Sequence, residues 1–235
     1  MADQDPLKKG FGYWMGIAGQ AKGIWVEKRR LASAMRQVID RLVTSDAPEA
    51  ELKTAADALE RYAARLATHP RRRVPAGFSE VANAGDVAGF FDMSPLIGLS
   101  NPMAPPIQLR VDGSTVHGKV TFGAAYEGPP GHLHGGFVAA AFDEVLGFTQ
   151  SLSGSPGMTG TLTIRYRKPT PLYTELRFEA TIVRIEGRKI FTEGRVYAGE
   201  LLTAEAEGLF ISVDLTRMRQ LAELGRAREK ADDAS

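Results

Sequence analysis

The stretch with the most chemical potential runs Tyr126-Glu127-Gly128-Pro129-Pro130-Gly131-His132-Leu133-His134-Gly135-Gly136. Its glycines and prolines shape a tight loop. The apolar residues that follow, Phe137 to Phe142 and then Val145, Leu146 and Phe148, read as a helix from His134 to about Gln150 that is apolar almost all round and therefore buried. Bare backbone at Gly135 and Gly136 lets a ligand approach the N-terminus of that helix. Unpaired N–H groups and the positive dipole end are suited there to polarise a carbonyl oxygen or hold an oxyanion. The plainer reading is that the glycines only permit helix–sheet contact. Asp143 adds weight, because an acid in an apolar helix is costly to bury unless it is paired or solvated. It is a base or nucleophile, or else a structural acid held by neighbouring backbone. Glu144 projects about 100° away, so only one of the two can face a given site.

Gly136 and Asp143 are seven residues apart, on nearly the same helix face but ~10 Å apart along the axis. A base must come within ~3 Å of what it activates. One helix therefore hardly supplies both the oxyanion donor and the carboxylate to one small reacting group. Two copies related by a two-fold axis can, with the Gly136 end of one helix meeting Asp143 of the other. The same pairing would cover the unpaired edges of an open sheet.

Other chemistries are weaker. His132-x-His134 with Glu127 or Asp143 has the residue types of a metal site but not three well-placed ligands, and no metal is expected. The chain has no cysteine, which removes disulfides, Cys-ligated metals and a thiol nucleophile. Ser153-Gly154-Ser155-Pro156 is a loop, and no G-x-S-x-G elbow, dinucleotide fingerprint or P-loop is present. His117 lies on a strand among polar neighbours and His69 precedes a proline, so neither suggests chemistry.

The elements that must position the loop follow from periodicity. Leu31, Met35, Val38, Ile39, Leu42 and Val43 form one helical stripe. Asp46-Ala47-Pro48-Glu49 reads as a capping box opening a second helix, striped by Leu52, Leu59, Tyr62 and Leu66 and ended by His69-Pro70. Two short amphipathic helices bury little area, so this hairpin must dock on something. Arg71-Arg72-Arg73 reads as a solvated charge run, and residues 74–106 as an ordered wrap with little regular structure. From Ile107 the period changes to two. Ile107, Leu109 and Val111, a turn at Asp112-Gly113-Ser114, then Val116, Gly118, Val120 and Phe122 make a hairpin. Leu162, Ile164 and Tyr166 alternate in a later strand. Three more strands follow, linked by turns at Glu186-Gly187 and Ala198-Gly199, as an antiparallel meander. Leu215 to about Lys230 reads as a charged surface helix.

The chain has 235 residues, 43% hydrophobic and 24% charged, with a net charge of +1, which suits one soluble domain with an appendage. The near-neutral balance argues against a nucleic-acid partner. No stretch approaches the ~18 apolar residues of a membrane helix. Lys8-Lys9 before Phe11-Gly12-Tyr13-Trp14 imitates a signal peptide, but glycines interrupt it and no cleavage site follows, so a cytoplasmic location is expected. The neutral total conceals segregation. Residues 1–75 carry 14 Lys/Arg against 9 Asp/Glu, or +5, and residues 76–213 carry 10 against 14, or −4. That contrast suggests that the arm packs on its own core or its partner's.

His134-Gly135-Gly136 with Asp143 nine residues after the histidine, on a helix flanked by antiparallel strands, resembles the hotdog-fold acyl-CoA thioesterases. The likeness is to the phenylacetate-pathway (PaaI-like) branch of the 4-hydroxybenzoyl-CoA thioesterase superfamily. Gly128-Pro129-Pro130-Gly131, Gly157-Met158-Thr159, Tyr166-Arg167-Lys168-Pro169-Thr170-Pro171-Leu172 and Gly187-Arg188-Lys189 extend it over roughly residues 95–213. The resemblance implies an α+β hotdog fold, a long central helix wrapped by an antiparallel sheet. The chain then divides into an N-terminal helical extension (1–75), a connecting wrap (76–106), a hotdog domain (107–213) and a charged C-terminal tail (214–235).

It also implies roles. The Gly136 N–H polarises the thioester carbonyl, with Gly135 beside it on the substrate. Asp143 of the partner subunit activates water or attacks directly, and Thr159 positions the water. His134 sets the loop, more structural than catalytic. Arg167, Lys168, Arg188 and Lys189 contact coenzyme A, though each also reads as a strand-edge charge. The expected protein is a homodimer or dimer of dimers acting on acyl-CoA, with no cofactor beyond the coenzyme A of its substrate and no membrane insertion. A non-catalytic acyl-CoA-binding module is the rival. A dehydratase ranks lower, because His134 lacks the placement of the acid–base pair of that branch.

Overall fold

A computed structural model describes residues 21–70, 92–155 and 157–212. The aromatic run at Phe11–Trp14, the Arg71-Arg72-Arg73 run, most of the expected wrap and the expected C-terminal helix lie outside the described residues. Two helices come first, α1 (Ile24–Leu42) and α2 (Glu49–Ala67). Then come strands β1 (Gln108–Asp112) and β2 (Thr115–Thr121), a 3-10 turn at Ala124–Tyr126, and helix α3 (Gly135–Ser151). Strands β3 (Gly157–Tyr166), β4 (Glu175–Glu186), β5 (Lys189–Ala198) and β6 (Leu201–Ser212) complete the order.

The six strands form one antiparallel sheet in the order β1-β2-β4-β5-β6-β3, with α3 laid across it. This is the α+β, hotdog-type arrangement expected from the sequence. Three hairpins share one solution. Asp112 pairs with Thr115, Glu186 with Lys189 and Ala198 with Leu201, and the first loop residue is Gly113, Gly187 or Gly199 at φ 58°. A left-handed residue at that position keeps the loop at two residues without splaying the strands. The sheet therefore presents a continuous inner face. Phe142, Val145 and Leu146 of α3 press onto it, with Phe142 edge-on to Phe178 at 5.3 Å. Close approach needs missing side chains: a Cβ on Gly194 would stand 3.1 Å from Leu146 Cδ2, and one on Gly208 would stand 2.7 Å from Phe210 Cε2.

Two local expectations are corrected. First, α3 is not buried all round. Val138, Ala141, Phe142, Val145 and Leu146 are buried, but Gly136, Phe137 and Asp143 are exposed and Ala139 and Ala140 half-buried. Alanine and glycine counted as apolar in the pattern, yet they line an open face. Second, Asp46 does not cap α2. The N-cap position is taken by Pro48, which offers no side-chain acceptor, while Ser45 Oγ receives the Ala47 N–H. Strand β3 is a sheet edge paired only with β6, and Tyr166 is exposed.

Helix α1 docks in an unexpected way. Its apolar stripe, Leu31, Met35, Val38 and Leu42, faces outward, and only Ala32 is buried. The opposite, polar side meets the core. Arg29 grips Asp92 through two hydrogen bonds of 2.8 Å, and Arg36 donates to the carbonyls of Asn101 and Leu99 at 2.8 and 3.3 Å. Asp40 Oδ1 receives the Ala124 N–H at 2.8 Å. Helix α1 of the positive arm thus lies on its own core, through directional bonds. No residue of α2 is buried.

Candidate active site

The loop before α3 is tied by its own backbone. The Gly128 N–H reaches His132 O at 2.9 Å and the His134 N–H reaches Tyr126 O at 2.9 Å. The residues weighed as metal ligands serve this loop: Glu127 Oε1 accepts the Gly131 N–H, and His132 Nδ1 contacts Pro130 O. His134 is the N-cap of α3, and its Nδ1 accepts the Gly136 N–H at 3.0 Å. The imidazole therefore occupies the acceptor position that a substrate carbonyl would take, and both groups are exposed. A carbonyl oxygen that displaced it would meet a donor at a helix N-terminus, where the partial positive charge is concentrated.

One helical span away, Thr159 Oγ1 donates to Asp143 Oδ1 at 2.8 Å. The contact depends on a β-bulge. Thr159 pairs with Phe210 and Thr161 with Leu209, leaving Gly160 as the extra residue, and such a bulge re-aims the neighbouring side chain. A water held by the hydroxyl oxygen would lie beside the carboxylate. At the other end of β3, Tyr166 Oη donates to Gly135 O at 2.9 Å. The same edge strand thus braces both ends of the exposed α3 face. Seven residues of helix still separate Gly136 from Asp143 by ~10 Å.

The four basic candidates divide between those ends. Arg167 and Lys168 follow Tyr166, beside Gly135. Arg188 ends the turn before β5 and Lys189 opens the strand, in the row where Lys189 faces Ile211 and Ile211 faces Met158, next to Thr159. Two of the four are committed within the chain: Arg167 binds Glu205 at 2.6–2.8 Å and holds its carboxyl below the usual range, and Arg188 donates to Ser212 O at 3.1 Å. Lys168 and Lys189 extend into solvent.

The environment of Glu144 is what the sequence did not reveal. It turns off the open face toward Ser94, whose hydroxyl donates to it at 3.4 Å. Burial pushes its carboxyl up to about 7, opposed by that bond and reinforced by Asp143. The 100° offset from Asp143 was readable, but nothing in the sequence placed Ser94 opposite it. Tyr126 was also missed. Burial raises its phenol, which donates to Met103 O at 3.1 Å, while its ring stands edge-on to Phe137 at 4.8 Å.

The model of the thioesterase superfamily matches residues 130–205, the segment that contains Gly136, Asp143, Thr159 and all four basic candidates. Acyl-coenzyme A thioesterase THEM4 of Xenopus laevis is 36% identical over 93 residues, 39% of this chain and 42% of that protein. Its counterpart in Bos taurus is 37% identical over 94 residues, 39% of this chain and 38% of that protein. The match thus spans well under half of either relative. A crystal structure of a thioesterase superfamily protein superposes with a TM-score of 0.69 at 32% identity, covering 82% of this chain and 96% of the other. With this structural match at 32% identity over nearly the whole of the other chain, the chain belongs to the thioesterase superfamily and has its hotdog fold.

Proposed function

We propose that the protein hydrolyses acyl-CoA thioesters, and that each active site is shared between two copies of the chain. The observation that carries this reading is the division of the exposed α3 face. The Gly136 donor stands at one end and the Thr159–Asp143 pair at the other, too far apart to serve one carbonyl. A two-fold axis across this face turns each half-site toward its complement. It also brings Arg167 and Lys168 of one copy near Arg188 and Lys189 of the other, where Lys168 and Lys189 are free to meet the coenzyme A phosphates.

In this site the thioester oxygen displaces the His134 imidazole from the Gly136 N–H. Asp143 of the partner, oriented by Thr159, takes a proton from water as the water oxygen bonds to the carbonyl carbon. The tetrahedral oxyanion is held by Gly136. When the C–S bond breaks, the coenzyme A thiolate takes the proton back from Asp143 and the free acid leaves. Direct attack by Asp143, which breaks the C–S bond, releases the coenzyme A thiolate and leaves an anhydride that water then cleaves to the free acid and the Asp143 carboxylate, uses the same residues. The protein itself supplies every group in either route, so no cofactor is required. The absence of cysteine suits a cytoplasmic setting, and no helix among the described residues is long and apolar enough to cross a membrane.

The test is thiol release from a panel of acyl-CoAs. Wild type should turn over at least one member, and Asp143→Ala should lose on the order of 10²–10⁴-fold in rate with its fold intact. Binding without thiol release by wild type would instead identify an acyl-CoA-binding module. Full activity of Asp143→Ala would remove the carboxylate from the mechanism.

A further inference from the structure

Because α1 stands on polar props instead of interdigitated side chains, a cavity of about 600 Å³ remains between it and the core. That is the size of a small-ligand site. Its walls include Ile39 and Asp40 of α1, Met103 and Pro105 of the segment before β1, Tyr126, and Phe137. Phe137 directly follows Gly136, and side chains at a helix start lean back over the N-terminus. The cavity therefore begins one residue from the proposed oxyanion donor. Its two part-buried charged side chains are already committed to backbone: Arg36 to Leu99 and Asn101, and Asp40 to Ala124. The rest of the lining is mostly carbon, with Ser33, Gln37, Arg41 and Thr121 as its other polar side chains.

Tyr173 also lines this space. It is the single non-glycine residue among the described ones with a positive φ, 55°, fixed by its N–H on Phe122 O at 2.8 Å. Strained backbone of this kind persists where the surroundings impose it, and it concentrates at ligand sites.

We infer that this cavity takes the apolar acyl group of the thioester, so that the N-terminal arm determines acyl specificity. The inference rests on the thioesterase reading above, and its test separates the two. In the full-length protein, Ile39→Trp and Met103→Trp place an indole into the cavity from opposite walls. The readout is kcat/KM across straight-chain acyl-CoAs from acetyl to palmitoyl, with benzoyl-CoA as the aromatic arm. The ratio for the preferred acyl group over acetyl should fall by about tenfold or more in both variants, while Ile39→Ala should shift preference toward bulkier groups. An unchanged profile in both folded variants would overturn the inference.

If wild type releases no thiol at all, the thioesterase reading fails and equilibrium binding decides the cavity. Decanoyl-CoA should then bind about tenfold tighter than coenzyme A to wild type and lose that margin in Ile39→Trp. Equal binding of the two ligands by wild type overturns the inference on its own.

Discussion

Helices α3 and α1 lie on the same core and are held by opposite means. α3 presses carbon onto the sheet through Phe142, Val145 and Leu146 and leaves its small and polar residues facing out. α1 sets Arg29, Arg36 and Asp40 against the core and turns Leu31, Met35, Val38 and Leu42 away from it. Burial of apolar area is non-directional and fills space, so α3 is locked along its length. Hydrogen bonds fix points and leave gaps between them. The first arrangement suits a helix that must hold a donor and a carboxylate still, and the second suits a wall that encloses a cavity.

The contrast can be broken at either helix. Leu146→Ala removes packing beneath α3 and should cost about 4 kcal/mol of global stability by chemical denaturation. A loss under about 1 kcal/mol would mean that α3 is not held by area. Glu144, on the side of α3 that meets Ser94, should give about 3 kcal/mol of pH dependence. Its folded pKa of about 7 lies above the ordinary 4.5. The folded state therefore binds more proton between those values, and stability present below about 4.5 is lost as pH rises through 7. Glu144→Gln should flatten that slope and exceed wild type in stability at pH 8. An unchanged slope would contradict it.

At α1, Asp92→Ala strips Arg29 of its bidentate partner and should cost about 2 kcal/mol. The loss should be seen as faster amide exchange confined to α1, with the melting of the sheet scarcely moved. The smallest effect is expected on the outward stripe of α2, where Leu59→Ser should leave stability within about 0.5 kcal/mol. A larger loss would show that another copy covers that stripe in the assembled protein.

What could be read in advance follows the range of the interactions. Strand alternation, the three glycine turns and the helix start at His134 are local, and all were legible. The pairing of Thr159 with Asp143 came through family resemblance, since its geometry depends on a bulge at Gly160 that no residue pattern announces. The face by which α1 docks was not legible, because an apolar stripe normally marks the buried face. Arg29, Arg36 and Asp40 find their partners 63 to 84 residues away, beyond any periodic signal. The burial of Glu144 was invisible for the same reason, its partner Ser94 lying 50 residues earlier.

The shared site is the central claim, and subunit mixing tests it most directly. Gly136→Pro removes the proposed oxyanion donor in the first helical turn, where proline is tolerated, and Asp143→Ala removes the carboxylate. Each protein alone should be inactive. After exchange, half of the dimers are mixed and each mixed dimer regains one intact site, so thiol release should return to about one quarter of the wild-type rate. No recovery, with exchange confirmed by differential labelling of the two chains, would contradict a site built from two copies.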